Sequence, residues 1–369
     1  MEERLAKEKT APVPAVGAAG EQPLCNKHNK IIPDLAAISM TELYENVYPP
    51  KLPVVDGFLN CGTYLFVGAP KVGKSFFMAQ LAYHVSMGIT LWDYPVRQGT
   101  VLYLALEDDY ARLQQRLSRM FDVESSDQFY MATKAKTLSE GLDAQLEMFV
   151  KTHSNARLII IDTLQKVREA GGEHYSYSND YEIVTRLKEF SDRHNICLLI
   201  VHHTRKMESQ DSFDMISGTN GLLGAADGAF IMQKKKRTDS TAIMDIVGRD
   251  QQDQELTLEF DRERCVWNKT KAETETILFP SEPLLEKISE FINGNDGKWT
   301  GSASELLEKL PDISIKANVL VRKLNVKASS LYKDYGILYE PMQRTQDKKT
   351  FSLTLINSDE TPVIETAEK

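Results

Sequence analysis

The chain lacks several features that mark large classes of protein. No segment approaches the roughly 18 consecutive apolar residues that a membrane span requires. The opening residues MEERLAKEKT contain no apolar core of a secretory signal. The 4 cysteines are few and lie far apart in the sequence, so a disulfide framework is not expected. These absences predict a cytoplasmic protein without a membrane partner.

An excess of positive charge is also absent. The formal net charge of -9 argues against a protein that coats nucleic acid over its whole surface. A local basic channel stays compatible with this charge, because Lys and Arg outnumber Asp and Glu between Pro311 and Phe351. With 369 residues, of which 42% are hydrophobic, the chain is long enough for two domains with buried cores.

Short apolar runs alternate with amphipathic segments in the first two thirds of the chain. The runs are TYLFVG (63–68), VLYLAL (101–106), FYMAT (129–133), RLIIID (157–162) and CLLIVHH (197–203). Helical periodicity lies between them, for example at 142–153 and 181–194. Strands separated by helices predict an α/β fold with a mostly parallel sheet flanked by helices. After Gly228 the pattern changes to strands joined by polar turns, which predicts antiparallel edge strands.

The predicted organisation follows from changes in composition. A segment rich in Pro, Ala and Gly near the start cannot offset its ordering entropy by burial. Near the end, three helix-like segments precede two strand-like runs, which is the outline of a small winged-helix-like domain. We predict a disordered segment at 1–35, an α/β domain at 36–270, a linker at 271–283, a winged-helix-like domain at 284–357 and a disordered tail at 358–369.

One motif predicts a phosphate-binding loop. Residues 68–75 read GAPKVGKS and fit G-x-x-x-x-G-K-[ST], after a strand and before a helix. Inward-pointing backbone N–H groups and the helix N-terminus favour phosphate there. We predict ATP and Mg²⁺ as ligands, with Lys74 on the β- and γ-phosphates and Ser75 on the metal. The expected nucleotide contacts are Gly68, Ala69, Pro70, Lys71, Val72, Gly73, Lys74, Ser75 and Phe76. GTP is disfavoured because no N-K-x-D motif is present.

Polar residues end three further strands of the predicted sheet. Asp162 ends LIIID and would orient Mg²⁺ through water, although a strand-end Asp is often a helix cap. Glu107 ends VLYLAL and could serve as general base, or could charge the first turn of a helix with Asp108 and Asp109. His203 ends the strand CLLIVHH, where a polar side chain can sense the γ-phosphate or be structural.

These motifs together resemble the RecA-like ATPases, and most of all the RepA-type hexameric helicases, which are related to the DnaB-type replicative helicases. The resemblance covers roughly residues 50–270 and includes GAPKVGKS, LEDDYARLQQRL, LIIIDTL, LIVHHTRK and SGTNGLLGAADGAFIM. It implies that Glu107 is the catalytic base and that Arg116, nine residues later, contacts the nucleotide base. It also implies that His203 couples the γ-phosphate to a DNA-facing loop.

The resemblance has one departure, which concerns the arginine that reaches the neighbouring subunit's site. RepA-type enzymes carry that arginine near the position of Asp227. Arg249 instead matches the DnaB-type position, eleven residues before a strand-end Phe, so we predict that Arg249 acts in trans. The alternative is a surface arginine in a turn. Action in trans implies self-association into a ring, with a hexamer expected.

The resemblance also places two loops against DNA, most simply single-stranded DNA. These loops contain Lys166 and Arg168 after Asp162, and Arg205 and Lys206 after His203. The run Lys234–Arg237 could extend the channel or form a solvated hairpin tip. In the C-terminal domain, Arg322 and Lys323 lie on the candidate recognition helix, which could contact DNA or protein.

The resemblance predicts a DNA-dependent ATPase, as a ring helicase in the replication of a plasmid, phage or integrative element. A regulatory ATPase whose winged helix recognises DNA or a partner is the alternative, and a recombinase-like filament is a third hypothesis. No motif encodes strand separation itself, so the sequence supports the helicase only by resemblance.

Overall fold

The computed structural model describes residues 37–48, 51–168, 177–203, 220–249, 251–274, 282–342 and 349–356. The chain forms two compact units, 1–46 and 47–369. In the described part of the first unit, helix α1 (Met40–Glu45) begins at a capping box. The Ser39 side chain accepts from the Glu42 amide, and the Glu42 carboxylate accepts from the Ser39 amide. The predicted disordered segments at 1–35 and 358–369 lie outside the described residues.

The second unit is built on a large sheet that is mostly parallel. Its strands are β1 (Gly62–Gly68), β2 (Thr100–Ala105), β3 (Phe129–Ala132), β4 (Ala156–Asp162), β5 (Cys197–His203), β6 (Gly228–Gln233), β7 (Thr241–Gly248), β8 (Gln254–Asp261) and β9 (Val266–Thr274). Their order across the sheet is β3-β2-β4-β5-β1-β6-β7-β8-β9. This confirms the predicted fold class. The antiparallel part begins only at β7, because β6 pairs parallel with β1.

Helices cover both faces of this sheet. They are α2 (Lys74–Met87), α3 (Tyr110–Phe121), α4 (Leu142–Thr152), α5 (Leu164–Val167), α6 (Tyr177–His194) and α7 (Asn220–Ala225). Phe66 on β1 packs in one core with residues of α2 and α3, whereas Val67 packs in the opposite core with residues of α4, α6 and α7. Burial on both faces explains the unbroken apolar runs of these strands. Among the described residues, none of the helices has the length and apolar character of a membrane span.

The C-terminal part of the second unit has a separate hydrophobic core. Its elements are α8 (Pro283–Asn293), β10 (Lys298–Ser302), α9 (Ala303–Lys309), α10 (Ala317–Tyr335), β11 (Ile337–Pro341) and β12 (Thr350–Leu355). The strands form a small antiparallel sheet in the order β10-β12-β11. Strand β10 was not predicted, because KWTGS is short and alternates weakly. It is held by pairing with β12, where Trp299 also packs on Phe351.

Strand β9 differs from the prediction at its end. It runs to Thr274 and pairs with β8 along its length, so residues 271–274 belong to the sheet and not to a linker. The sequence KAET has no apolar alternation, since these side chains are exposed on an edge strand held by backbone hydrogen bonds. Residues 275–281 lie outside the described part of the chain. The other predicted domain boundaries stay predictions.

Candidate active site

The predicted phosphate-binding loop lies between β1 and α2, at the carboxyl-end edge of the parallel strands. Two of its glycines are required by close approach. Gly73 has a φ of 113°, and a Cβ there would lie 2.7 Å from Cζ2 of Trp267. A Cβ on Gly68 would lie 2.6 Å from the carbonyl oxygen of Met232. The loop therefore keeps its backbone close to the sheet and leaves its outer side to Ala69, Pro70 and Lys71, which are exposed.

The side chain of Lys74 points back along the loop. Its Nζ donates to the carbonyl oxygens of Gly68 at 2.7 Å and Ala69 at 3.1 Å, and it lies 3.0 Å from Nδ1 of His203. Burial lowers the pKa of Lys74 to about 8, while the charges of Asp162 and Glu107 oppose the shift. An ammonium held in this position can exchange these acceptors for phosphate oxygens.

Asp162 ends β4 and is 5% exposed. Its Oδ2 accepts a hydrogen bond of 2.9 Å from the hydroxyl of Tyr103, and the carboxylate also accepts from Ser75. Burial raises the pKa of Asp162, and these two hydrogen bonds oppose the shift. A hydroxyl oxygen and a carboxylate oxygen thus lie together at the start of α2. Oxygen donors of this kind fit Mg²⁺, so Ser75 and Asp162 suit the predicted metal.

Glu107 and His203 approach each other across the end of β4, which lies between their strands β2 and β5. Glu107 follows β2 by two residues, and its side chain is 47% exposed. Its Oε1 accepts from the hydroxyl of Thr163 at 3.3 Å and lies 4.0 Å from Nε2 of His203. Burial, followed by the charge of Lys74, lowers the pKa of His203, which favours a neutral imidazole. Glu107 is therefore open to water beside Lys74.

One residue of the acidic run at 107–109 caps a helix, as the alternative interpretation predicts. Asp109 is the N-cap of α3, and its Oδ1 accepts from the Arg112 amide at 2.9 Å. Asp108 instead lies 2.7 Å from Nη1 of Arg116. Capping and the catalytic hypothesis for Glu107 are thus compatible, because different residues take the two roles.

Arg116 lies over an aromatic surface beside the loop. Its guanidinium carbon is 5.1 Å from the centre of the ring of Phe76, the residue directly after Ser75 in the sequence. The ring of Phe76 in turn packs on Phe260, with centres 5.4 Å apart. A planar cation and two rings next to the phosphate loop form a surface suited to a nucleobase.

Arg249 lies near the amino-terminal ends of the parallel strands, whereas the phosphate-binding loop lies at their carboxyl-terminal ends. Its amide donates to the carbonyl oxygen of Asp227 at 2.9 Å, and the amide of Asp227 donates in the same way to Thr63 at the start of β1. Thr63 and the phosphate loop are separated by about 15–20 Å along β1. The guanidinium is exposed and donates to the carbonyl oxygen of Gly224 at 2.8 Å. Arg249 therefore lies too far from its own loop to contact a phosphate there.

The residues predicted to face DNA are only partly described. Lys166 is exposed on α5, and Arg168 follows this helix half-buried, whereas Arg205 and Lys206 lie outside the described residues. On α10, Lys323 is exposed and Arg322 is half-buried. In the basic run after β6, the Nζ of Lys234 lies 5.0 Å from the centre of the Trp267 ring. Lys234 is thus packed on the protein, while Lys235, Lys236 and Arg237 are exposed.

Sequence reasoning missed two residues that shape the site. Trp267 is fully buried, and its indole N–H donates to the carbonyl oxygen of Gly73 at 3.2 Å. The side-chain amide of Gln80 fixes its backbone, with hydrogen bonds of 2.8 and 2.9 Å. The second missed residue is Tyr103, whose hydroxyl donates to Asp162. Both belong to apolar strand patterns, and their partners are distant in sequence, so no local signal indicates their roles.

Comparisons with known proteins agree with this geometry. Residues 34–209 match the AAA domain family. The chain is 27% identical over 156 residues to the DNA repair protein RadA of Streptococcus pneumoniae (strain ATCC BAA-255 / R6). That alignment covers 42% of this chain and 33% of RadA, so the chain spans only a third of this curated relative.

Solved structures with a partly similar fold include a DnaB-like replicative helicase, described with its primase interactions. It has 15% identity, a TM-score of 0.49 and coverage of 65% of this chain and 69% of that one. A KaiC-like protein of Pyrococcus horikoshii OT3 has 13% identity, a TM-score of 0.43 and coverage of 61% and 99%. Similarities of this strength do not define an activity. Residues 34–209 are thus similar to an AAA domain, and the loop at 68–75 lies between a strand and a helix as a phosphate-binding loop does.

Proposed function

We propose that the protein is a DNA-dependent ATPase that works as a ring, with a helicase of the RepA type as the specific hypothesis. One observation carries the ATPase part of this proposal. Lys74, Asp162, Glu107 and His203 come from four places in the sequence and converge at one edge of the sheet.

The chemistry follows from what each side chain can do. Lys74 binds the β- and γ-phosphates, because it already lies in the loop as a buried ammonium. Glu107 accepts a proton from the attacking water, since its carboxylate is half-exposed and close to Lys74. Ser75, and Asp162 through water, would hold Mg²⁺, which would supply positive charge against the phosphates. Arg116 and Phe76 contact the base of the nucleotide whose phosphates Lys74 binds.

A neighbouring subunit completes the site in this proposal. Within one chain, the site holds the ammonium of Lys74 and the imidazole of His203. Arg249 lies at the opposite ends of the parallel strands, away from its own site. An arginine exposed there can reach the phosphate loop of a second copy, where it would stabilise charge in the transition state. Head-to-tail contacts of this kind close into rings, which supports the hexamer hypothesis.

DNA is the proposed partner of the ring. Lys166 is exposed two residues after α5 begins, and α5 directly follows Asp162 and Thr163. A cation so close to the nucleotide site can link phosphate contacts on DNA to the state of that site. The match to RadA, whose name places it in DNA repair, supports a DNA-related role.

A regulatory ATPase is the second candidate, and the exposed face of α10 is compatible with it. Val319 and Val326 are 37% and 54% exposed on this helix, together with Lys323. The order of helices and strands from α8 to β12 supports the winged-helix interpretation, and winged helices recognise proteins as well as DNA. Exposed valines suit a protein partner as well as the methyl groups of thymine.

Two assays test the proposal and separate the candidates. ATP hydrolysis is measured with and without single-stranded DNA, and unwinding is then measured on a forked duplex. The helicase hypothesis expects stimulation by DNA and ATP-dependent strand separation. ATP hydrolysis that DNA leaves unchanged, without unwinding, would favour the regulatory ATPase. No hydrolysis in any condition would contradict both.

A further inference from the structure

The hydroxyl of Tyr103 makes a hydrogen bond inside the core that the ATPase chemistry does not require by itself. Tyr103 is fully buried on β2, and its hydroxyl donates to Oδ2 of Asp162 at 2.9 Å. We propose that Tyr103 is a positioning residue for the Mg²⁺ site, acting through the carboxylate of Asp162. This inference rests on the proposed function and adds a residue to it.

Strand pairing explains how the contact arises. In the parallel pair of β2 and β4, Tyr103 lies opposite Ile160, and Asp162 is two residues further along the same face. Diagonal neighbours of this kind are within reach of a long aromatic side chain. The ring packs in the core with Ile160 and Leu113, so its hydroxyl has little freedom to point elsewhere. The fold therefore delivers one donor to one carboxylate oxygen.

The contact has a direct consequence for the carboxylate. Asp162 is 5% exposed and accepts hydrogen bonds from Ser75 and Tyr103. Ser75 is itself expected to turn toward the metal, which leaves Tyr103 as the donor that fixes the orientation of Asp162. Partners that orient metal-site groups change metal affinity by about 10–100-fold when they are removed.

A purely structural role would need only the ring. Phe would fill the same volume in this core, whereas a buried hydroxyl without a partner has a cost in free energy. The arrangement therefore uses Tyr where Phe would pack equally well, and Asp162 is the acceptor that the hydroxyl meets. Tyr103→Phe separates the two roles, because it removes the donor and keeps the ring.

The chain offers a matched control in Tyr83. Its hydroxyl also donates to a carboxylate, that of Glu124 at 2.6 Å, but Tyr83 lies in the second half of α2, about 13 Å along the helix from Lys74. Mn²⁺ is titrated into wild type, Tyr103→Phe and Tyr83→Phe, each saturated with a non-hydrolysable ATP analogue, and free Mn²⁺ is followed by electron paramagnetic resonance. Binding of the analogue is measured separately in EDTA.

We expect Tyr103→Phe to weaken Mn²⁺ binding about tenfold, with unchanged analogue binding in EDTA and with Tyr83→Phe like wild type. In an Asp162→Ala background, Tyr103→Phe should have no further effect, because the acceptor is gone. Equal Mn²⁺ affinities in wild type and Tyr103→Phe would overturn the inference, as would an equal loss in the Asp162→Ala background. Failure of wild type to bind the analogue at all would instead contradict the proposed function.

Discussion

The backbone amide of Arg249 donates to the carbonyl oxygen of Asp227 at 2.9 Å. These are the two positions at which the family resemblance allows an arginine that acts in trans, and strand pairing brings them together, since Gly228 lies opposite Gly248. Asp227 is held by the Thr63 amide at 2.9 Å and by an ion pair with Lys188. Because the two positions are adjacent, an arginine at 249 lies at the same end of the strands as an arginine at 227 would.

The first prediction concerns the action of Arg249 in trans. Arg249→Ala should bind ATP in every subunit but lose turnover by about 10³-fold, because a charge that stabilises the transition state is removed. Mixing this variant with Glu107→Gln should restore part of the activity, since some interfaces then pair an intact Arg249 with an intact Glu107. Phosphate release from the mixture is the measurement.

Arg186→Ala is the control for this experiment, because Arg186 makes only an exposed ion pair with Asp143 at 3.0 Å in the interactions described for it. It should keep its turnover and should not rescue Glu107→Gln beyond its own activity. If subunit exchange is verified and the mixture of Arg249→Ala with Glu107→Gln stays inactive, Arg249 does not act in trans, and the ring loses its main support.

The second prediction uses the pKa of Lys74, which burial lowers to about 8. ATP favours the ammonium, so its affinity should fall as the pH rises above about 8, by up to about tenfold per pH unit, with uptake of a proton on binding. Without ligand, the pKa of Lys74 is lower in the folded than in the unfolded chain, so the protonated side chain reduces the free energy of unfolding below about pH 8. This reduction becomes smaller as the pH rises above about 8. Calorimetric titrations in buffers of different ionisation enthalpy measure the proton uptake.

Lys74→Arg is the control for the pH dependence, because a guanidinium keeps its charge between about pH 7 and about pH 9.5. Its ATP affinity should be lower than that of the wild type but flat over this range. A wild-type affinity that is equally flat would show that the ammonium does not titrate there, and the burial argument for Lys74 would be wrong.

The third prediction concerns the residue at which the proposed ATPase domain ends. A chain ending after Thr274 should stay folded and bind ATP, because β9 and Trp267 are retained. A chain ending after Arg264 loses the buried Trp267 and should be destabilised by at least about 3–5 kcal/mol. Thermal unfolding and ATP binding of the two shortened chains provide the test. Insolubility of the longer one would mean that the ATPase domain requires the C-terminal part to fold.

The sequence predicted the parts of the fold that depend on local patterns. The strands from β1 to β5 and helix α4 were located within one or two residues, because apolar runs and helical periodicity are properties of a short window. The end of β9 was missed, since its exposed residues pair through the backbone alone. Strand β10 was missed for a similar reason, as its place in a sheet depends on β12, about fifty residues later.

The candidate site likewise combines residues that local patterns indicate with residues that only contacts between distant segments reveal. The loop at 68–75 and Asp162 could be proposed from the sequence because a spacing and a strand end are local features. Tyr103 and Trp267 act through residues 59 and 194 positions away, namely Asp162 and Gly73, and no short motif contains both partners of either pair. Arg249 was located by its distance from Phe260, but only the pairing of β6 with β7 relates it to Asp227.

The central claim is that the loop and Glu107 together hydrolyse ATP, and Glu107→Gln tests it most directly. Gln keeps the shape of Glu but cannot accept a proton, so ATP binding should be unchanged while turnover falls about 10²-fold or more. Binding of a fluorescent ATP analogue and steady-state phosphate release are measured on the same samples of wild type and variant. Equal binding with lost turnover is the predicted result, and phosphate release by Glu107→Gln at the wild-type rate would contradict the account.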